Sequence, residues 1–318
     1  MAGNQPGPPV DPFAGFPDVS SGTTGGSWQP PGSFAAGRGP RLLAGGGRRA
    51  VAISAVSTLV VLGALAAIFL LAPGGRTVEH AFFSPQDMWR SFVGNPRRGY
   101  YSVGAAIWLN IRMFLVAEVI ILALALVIAL IRQSVHPALF PVRLLATCYV
   151  DFFRGVPLLL VIFAIGLGLP ALSLSVVSNQ PDAVYGVTAL VLSYSAYVSE
   201  VYRAGLNSVQ QSQAAAARSL GLSHGTALRY VILPQAVRNI IPPLLNDFIS
   251  LQKDTALVGV LGVVEASKAA DIYSEQVFNF SSFTVAAILF LILTIPLARF
   301  TDRLIDRDRR RRLAGTTR

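Results

Sequence analysis

Hydrophobic residues in this chain come in blocks rather than in alternation. Runs such as VAISAVSTLVVLGALAAIFLLA (51–72) and FLVAEVIILALALVIALI (114–131) put apolar side chains on every helical face with almost no charge. A surface helix would keep a polar stripe, and a half-buried strand a polar residue at every second position. Stretches of about 18 or more apolar residues are long enough to cross the roughly 30 Å hydrocarbon core as helices. The pattern predicts six spans, 51–72, 105–131, 155–177, 183–202, 241–263 and 283–299, and so an all-α integral membrane fold. Two longer polar stretches interrupt it. Residues 73–103 carry Phe82, Phe83, Trp89, Tyr100 and Tyr101, aromatics suited to a lipid interface, and are expected to form an outer loop. Residues 203–240 are an Arg-bearing island between spans four and five.

Composition supports this picture. The chain is 53% hydrophobic and 13% charged, against about 25% charged in soluble domains. Its net charge of +10 raises nucleic acid as a partner, but the placement of the charge points to the lipid bilayer instead. With both termini in the cytoplasm, 18 of the 26 Lys and Arg fall on inner segments, RDRRRR (307–312) most densely. Residues 1–49 are expected to be a disordered cytoplasmic tail, because 17 of the first 40 are Pro or Gly and too little apolar surface is available to offset ordering. The single Cys148 excludes an intramolecular disulfide, and His80, His136 and His224 have no metal-ligand spacing. No metal site is assigned.

The island has strong local punctuation. Val209 to Leu220 is rich in helix formers, and Gly221 stands where a helix C-terminus takes a left-handed residue. Ser223 can cap a second short helix over 224–232, which is expected to end or kink near Pro234. Helix, break, helix, proline describes either a stiff knob projecting from the membrane or an amphipathic hairpin lying on its surface.

The same stretch resembles the cytoplasmic EAA loop of binding-protein-dependent ABC importer permeases, read here as Ala215-Ala216-Ala217, Gly221, Val231 and Leu233-Pro234. Arg154-Gly155-Val156-Pro157, Val231-Ile232-Leu233-Pro234-Gln235 and Lys253-Asp254-Thr255 are similar to the polar amino acid branch (histidine, glutamine or glutamate type). The resemblance covers about 105–305. It implies a type I importer permease bundle whose coupling helix docks on a separate ATPase. It also implies a second permease subunit and an extracytoplasmic amino acid binding protein in a bacterial cell membrane. Carried over residue by residue, coupling falls on Ala215, Ala216, Gly221, Leu233 and Pro234; Ala215 stands where the family has Glu. The corresponding domain organisation is a tail over 1–49, an extra helix and outer loop over 50–103, the permease domain over 104–305, and a basic tail over 306–318.

The motor is expected elsewhere. A P-loop needs G-x-x-x-x-G-K-[S/T], and the two lysines, Lys253 and Lys268, follow Gln252 and Ser267. No cofactor is expected on this chain, and ATP is used by the partner.

Ionisable residues within spans are costly and mark pathways or packed polar interfaces. Span five carries Asn246, Ser250, Lys253 and Asp254 on one helical face, bordered by Asp247, with Pro242 and Pro243 near its start. This stripe either faces a translocation path, with Lys253 meeting a substrate carboxylate and Asp254 keeping the site near neutral, or pairs with neighbouring helices. Glu118 in span two faces the bundle, and Arg112 snorkels outward. Tyr197, Glu200, Arg203 and Gly205 match the family run YxxExxRxG. Glu200 and Arg203 are three apart and able to pair, and together with Arg154 they form a gating or structural group. The expected cargo is a polar amino acid, with glutamate or a related acidic or amide one favoured by the membrane lysine. Arginine, lysine and histidine stay open. An ion-coupled secondary carrier is the alternative, weakened by the absence of a visible internal repeat.

Overall fold

The computed structural model describes residues 48–134, 136–209 and 211–315. The tail over 1–47 and residues 316–318 lie outside them. The chain divides into a unit ending at Phe69 and a second unit from Leu70 to Arg318. Helix α1 (Arg48–Leu71) makes up the described part of the first, apolar on all sides, with Ile53, Leu59 and Leu62 exposed.

The second unit opens with two short helices, α2 (Gly75–Phe82) and α3 (Pro85–Val93), where a loop was expected. Ser84 caps α3 by accepting the Asp87 amide, and Pro85 occupies its first turn, where no N–H is needed. Helix α4 (Val103–Gln133) starts at a Ser102 cap. Helix α5 (Phe140–Gly155) precedes the predicted third span, whose helical part is α6 (Leu158–Ala171), and the two are bent by 110°. The break falls at Val156-Pro157, because the residue before proline is pushed out of the helical region. α6 ends at Ala171, six residues short of the predicted boundary at 177.

Helix α7 (Asp182–Asn207) stands at the centre of the bundle, against α4, α5, α6 and α10. Then come α8 (Gln211–Ser219), α9 (His224–Ala227), a π turn over Leu228–Ile232, and α10 (Leu233–Asp254). A 3-10 turn (Thr255–Leu261) ends at left-handed Gly262 and leads to α11 (Ala266–Val277) and α12 (Ser281–Gly315), which runs on through the basic segment.

By length and apolarity alone, two helices among the described residues can cross a membrane, Val103–Gln133 and the Ser281–Arg307 part of α12. The bent pair is a third if counted as one span. α7 and α10 occupy predicted span positions yet are less apolar. α7 is surrounded by other helices, and small and hydroxyl side chains such as Ala189, Ser193, Ser195 and Ser199 are buried along it. Gly205 shows how tight the packing is: a Cβ there would run into Ile240 of α10.

Candidate functional site

The island folds as a helix with a defined stop. Leu222 N–H donates to Ala217 O at 3.2 Å and Gly221 N–H to Arg218 O at 2.9 Å, with Gly221 at φ +80°. These two bonds are the Schellman pair that satisfies the last carbonyls of α8. Ser223 Oγ accepts the Thr226 amide at 3.3 Å and starts α9. Pro234 does not end the second helix, as expected from the sequence. It sits at the second residue of α10, directly after a π turn over Leu228–Ile232 that carries α9 into α10. Ala215, Ala216, Gly221, Leu233 and Pro234 are all exposed. So are the large apolar side chains Leu220, at 82%, and Tyr230, at 68%. A polar end of a bundle that leaves such residues uncovered offers a docking surface.

The stripe on α10 divides in two. Asn246 and Lys253 lie on an exposed flank, while Asp247, Ser250 and Asp254 are half-buried. Tyr194 Oη of α7 donates to Asp254 Oδ2 at 2.7 Å. Among the described residues no ion pair joins Lys253 to Asp254, and the contact of Asp254 is with the neighbouring helix α7. Glu118 of α4 lies within electrostatic reach of Asp247 and of Tyr202. Asp247 Oδ2 is buried without a hydrogen-bond partner among the described residues. Three carboxylates thus gather where α4, α7 and α10 meet. Pro242 and Pro243 are carried inside a continuous helix. Arg112 is exposed, its guanidinium over the Trp108 ring at 5.8 Å.

At the other end of α7, Glu200 accepts from Arg203 at 2.8 Å and from Arg132 of α4 through a very short contact. Arg154 lies within electrostatic reach of Glu200, and its guanidinium stacks over Tyr197 at 5.9 Å. Sequence spacing brought Glu200 and Arg203 together; Arg132 is 68 residues from Glu200, and nothing local announces it.

A second polar cluster joins Asn110 of α4 to Glu265, which sequence reasoning did not single out. Glu265 is fully buried at the N-cap of α11. It accepts Asn110 Nδ2 at 3.0 Å and the amides of Ser267 and Lys268 at 2.9 and 2.8 Å. Asn110 also donates to Thr255 Oγ1 at 3.1 Å and accepts the Ala266 amide at 3.0 Å. The usable signal was a glutamate opening the helical run after Gly262, a capping pattern. α11 is tied back to α3 through Tyr273 Oη, which donates to Asp87 at 2.8 Å. Burial and the adjacent carboxylate hold that phenol above its ordinary pKa.

Helix, Schellman stop, helix and direct continuation into a polar-lined bundle match a known architecture. The pattern of the family described as "Binding-protein-dependent transport system inner membrane component" matches residues 139–311, more than half the chain. The chain belongs to this family. The permease is similar to a probable glutamine ABC transporter permease of Bacillus subtilis, 38% identical over 189 residues, 58% of this chain and 84% of the relative. It is 34% identical to a glutamate transport system permease of Corynebacterium glutamicum, over 64% of this chain and 92% of that one. An arginine transport system permease of Bacillus subtilis is 32% identical over 63% and 88%. The crystal structure of an amino acid ABC transporter with histidines superposes with a TM-score of 0.59 at 33% identity, covering 64% of this chain and 93% of that one. An inward-facing methionine ABC transporter shares the fold, with a TM-score of 0.53 at 16% identity over 70% and 98%. The protein is a multi-pass membrane permease subunit of an amino acid ABC importer, not an ion-coupled carrier.

Proposed function

We propose that this subunit carries a polar amino acid along a path formed where α4, α7 and α10 meet, driven by an ATPase docked on residues 209–234. The observation that carries the proposal is the unbroken run from knob to path: α9, the π turn and α10 follow one another without a loop. A partner that moves Tyr230 and Leu233 therefore moves Asp247 and Asp254 with them. The carboxylates of Glu118 and Asp247 suit the substrate α-ammonium. Lys253, on the exposed flank, suits a carboxylate, which favours glutamate or a related acidic or amide amino acid. A second permease subunit completes the path, and an extracytoplasmic binding protein delivers the cargo. Arg154, Glu200 and Arg203 brace α5 and α7 at the knob end. Both termini are cytoplasmic, no cofactor binds this chain, and ATP is hydrolysed by the partner. The permease proper occupies 104–305, with the first helix and the α2–α3 segment as additions to it.

The experiment is a gentle-detergent purification of the tagged chain from its host, followed by reconstitution and uptake of labelled glutamate, glutamine and arginine. Recovery of a P-loop ATPase, its yield lost with Gly221→Val, supports coupling through the knob. Uptake that survives Lys253→Gln unchanged for glutamate removes the lysine from the path. A preference for arginine transfers recognition to the carboxylates.

A further inference from the structure

The knob end of the bundle holds a second charged feature. Arg132 near the end of α4, Arg143 in the first turn of α5 and Arg203 near the end of α7 surround a recess of about 310 Å³. Phe140, Leu144 and Thr147 complete its wall. Among the described residues, Glu200 is the sole carboxylate in ion-pair contact with these arginines. Three guanidiniums against one carboxylate leave the recess strongly positive. Arg132 is nearly buried, its side chain 9% exposed, so its charge is not spread into bulk water. Arg143 spends one N–H on Ser134 O at 3.0 Å and lies over the Phe140 ring at 5.6 Å. A guanidinium has five N–H donors in a fork that matches phosphate oxygens.

Depth and surroundings narrow the ligand. A helix of the length of α4 rises about 45 Å, more than the roughly 30 Å hydrocarbon core, which puts Arg132 at headgroup level. Phe140 and Leu144 are exposed beside the arginines, and Leu145 is more exposed still. A recess with cationic forks at headgroup depth and an apolar rim below fits an anion with a hydrocarbon tail.

We propose that this recess binds the phosphodiester of an anionic phospholipid, with Arg143 and Arg203 on the phosphate and acyl chains along Phe140 and Leu144. Arg203 also holds Glu200, so the bound lipid braces the end of α7 that leads into the knob. Basic pockets between membrane helices are a recognised lipid chemistry, and each basic side chain near an anionic headgroup contributes on the order of 1 kcal/mol. The inference rests on the membrane placement of the bundle, not on the cargo.

The test uses the full-length chain in detergent with phosphatidylglycerol and phosphatidylcholine at equal concentration, read by native mass spectrometry. Phosphatidylglycerol is expected to be retained preferentially. Arg143→Gln keeps a donor for Ser134 O but removes the charge, and is expected to lower that retention about fivefold, the factor for one guanidinium. Retention of phosphatidylcholine stays unchanged. Leu144→Glu, at an exposed rim position, serves as a second variant with the same expected loss should Arg143→Gln fold poorly. Equal retention of the two lipids, or phosphatidylglycerol binding indifferent to both variants, overturns the proposal. Displacement of phosphatidylglycerol by millimolar inorganic phosphate identifies a free-anion site and overturns the lipid source.

Discussion

Two glutamates of this permease are withdrawn from water in opposite ways. Glu265, fully buried, is held by neutral dipoles: the Asn110 amide and the amides of Ser267 and Lys268 at the start of α11. Glu200, at 27% side-chain exposure, is held by the guanidiniums of Arg132 and Arg203. A carboxylate at a helix N-terminus meets aligned N–H groups and a partial positive charge, so no counter-ion is required. That solution demands fixed geometry, because each donor reaches one direction only. Ion pairing tolerates movement and some water, at the cost of sensitivity to salt. The rigid solution joins α4 to α11, and the tolerant one lies beside the knob, where a transporter has to move.

Substitutions can break this contrast. Glu265→Ala leaves three donors without an acceptor, each costing about 1–3 kcal/mol, so a loss of at least 3 kcal/mol is expected. It shows as a collapsed yield of monodisperse protein and a melting midpoint that does not respond to salt. Arg132→Gln leaves Glu200 with Arg203 and is expected to cost about 1–2 kcal/mol, between the values for exposed and buried pairs. The difference from wild type shrinks at about 0.5 M salt, where the screening length falls to a few ångströms. A salt-independent difference would remove the contrast.

Gly221→Val is smaller for stability, about 1 kcal/mol for a branched residue forced into the left-handed region, and is confined to the knob. ATPase co-purification and uptake are lost while the melting midpoint of the bundle barely moves; Gly221→Asn, which tolerates that conformation, retains both. Tyr194→Phe is the mildest. It removes the hydrogen bond to Asp254, worth about 0.5–1 kcal/mol, and sharpens the question of whether that carboxylate is structural or faces cargo. An uptake defect larger than the change in thermal midpoint assigns Asp254 to the path.

Legibility followed the range of the interaction. The Schellman stop at Gly221 and the Ser223 cap are local and were readable from residue type, and the spacing of Glu200 and Arg203 allowed their contact. Pro234 was misjudged because a proline ends one helix or begins the next, and residue type alone does not separate the two. Residue type left open whether Asp254 serves a path or a neighbouring helix, and only the packed bundle shows its contact with Tyr194 of α7.

By itself, the sequence determined that the chain lies in a membrane, roughly where its helices run, and that a punctuated polar knob interrupts them. These follow from hydrophobicity and backbone preference, which act over a few residues. Tertiary structure alone decided that Asn110 meets Glu265 across 155 positions, that Arg132 reaches Glu200, and that three arginines close around one recess. Hydrogen bonds and charge pairs act within a few ångströms in space, and only the packed bundle says which distant residues share that space.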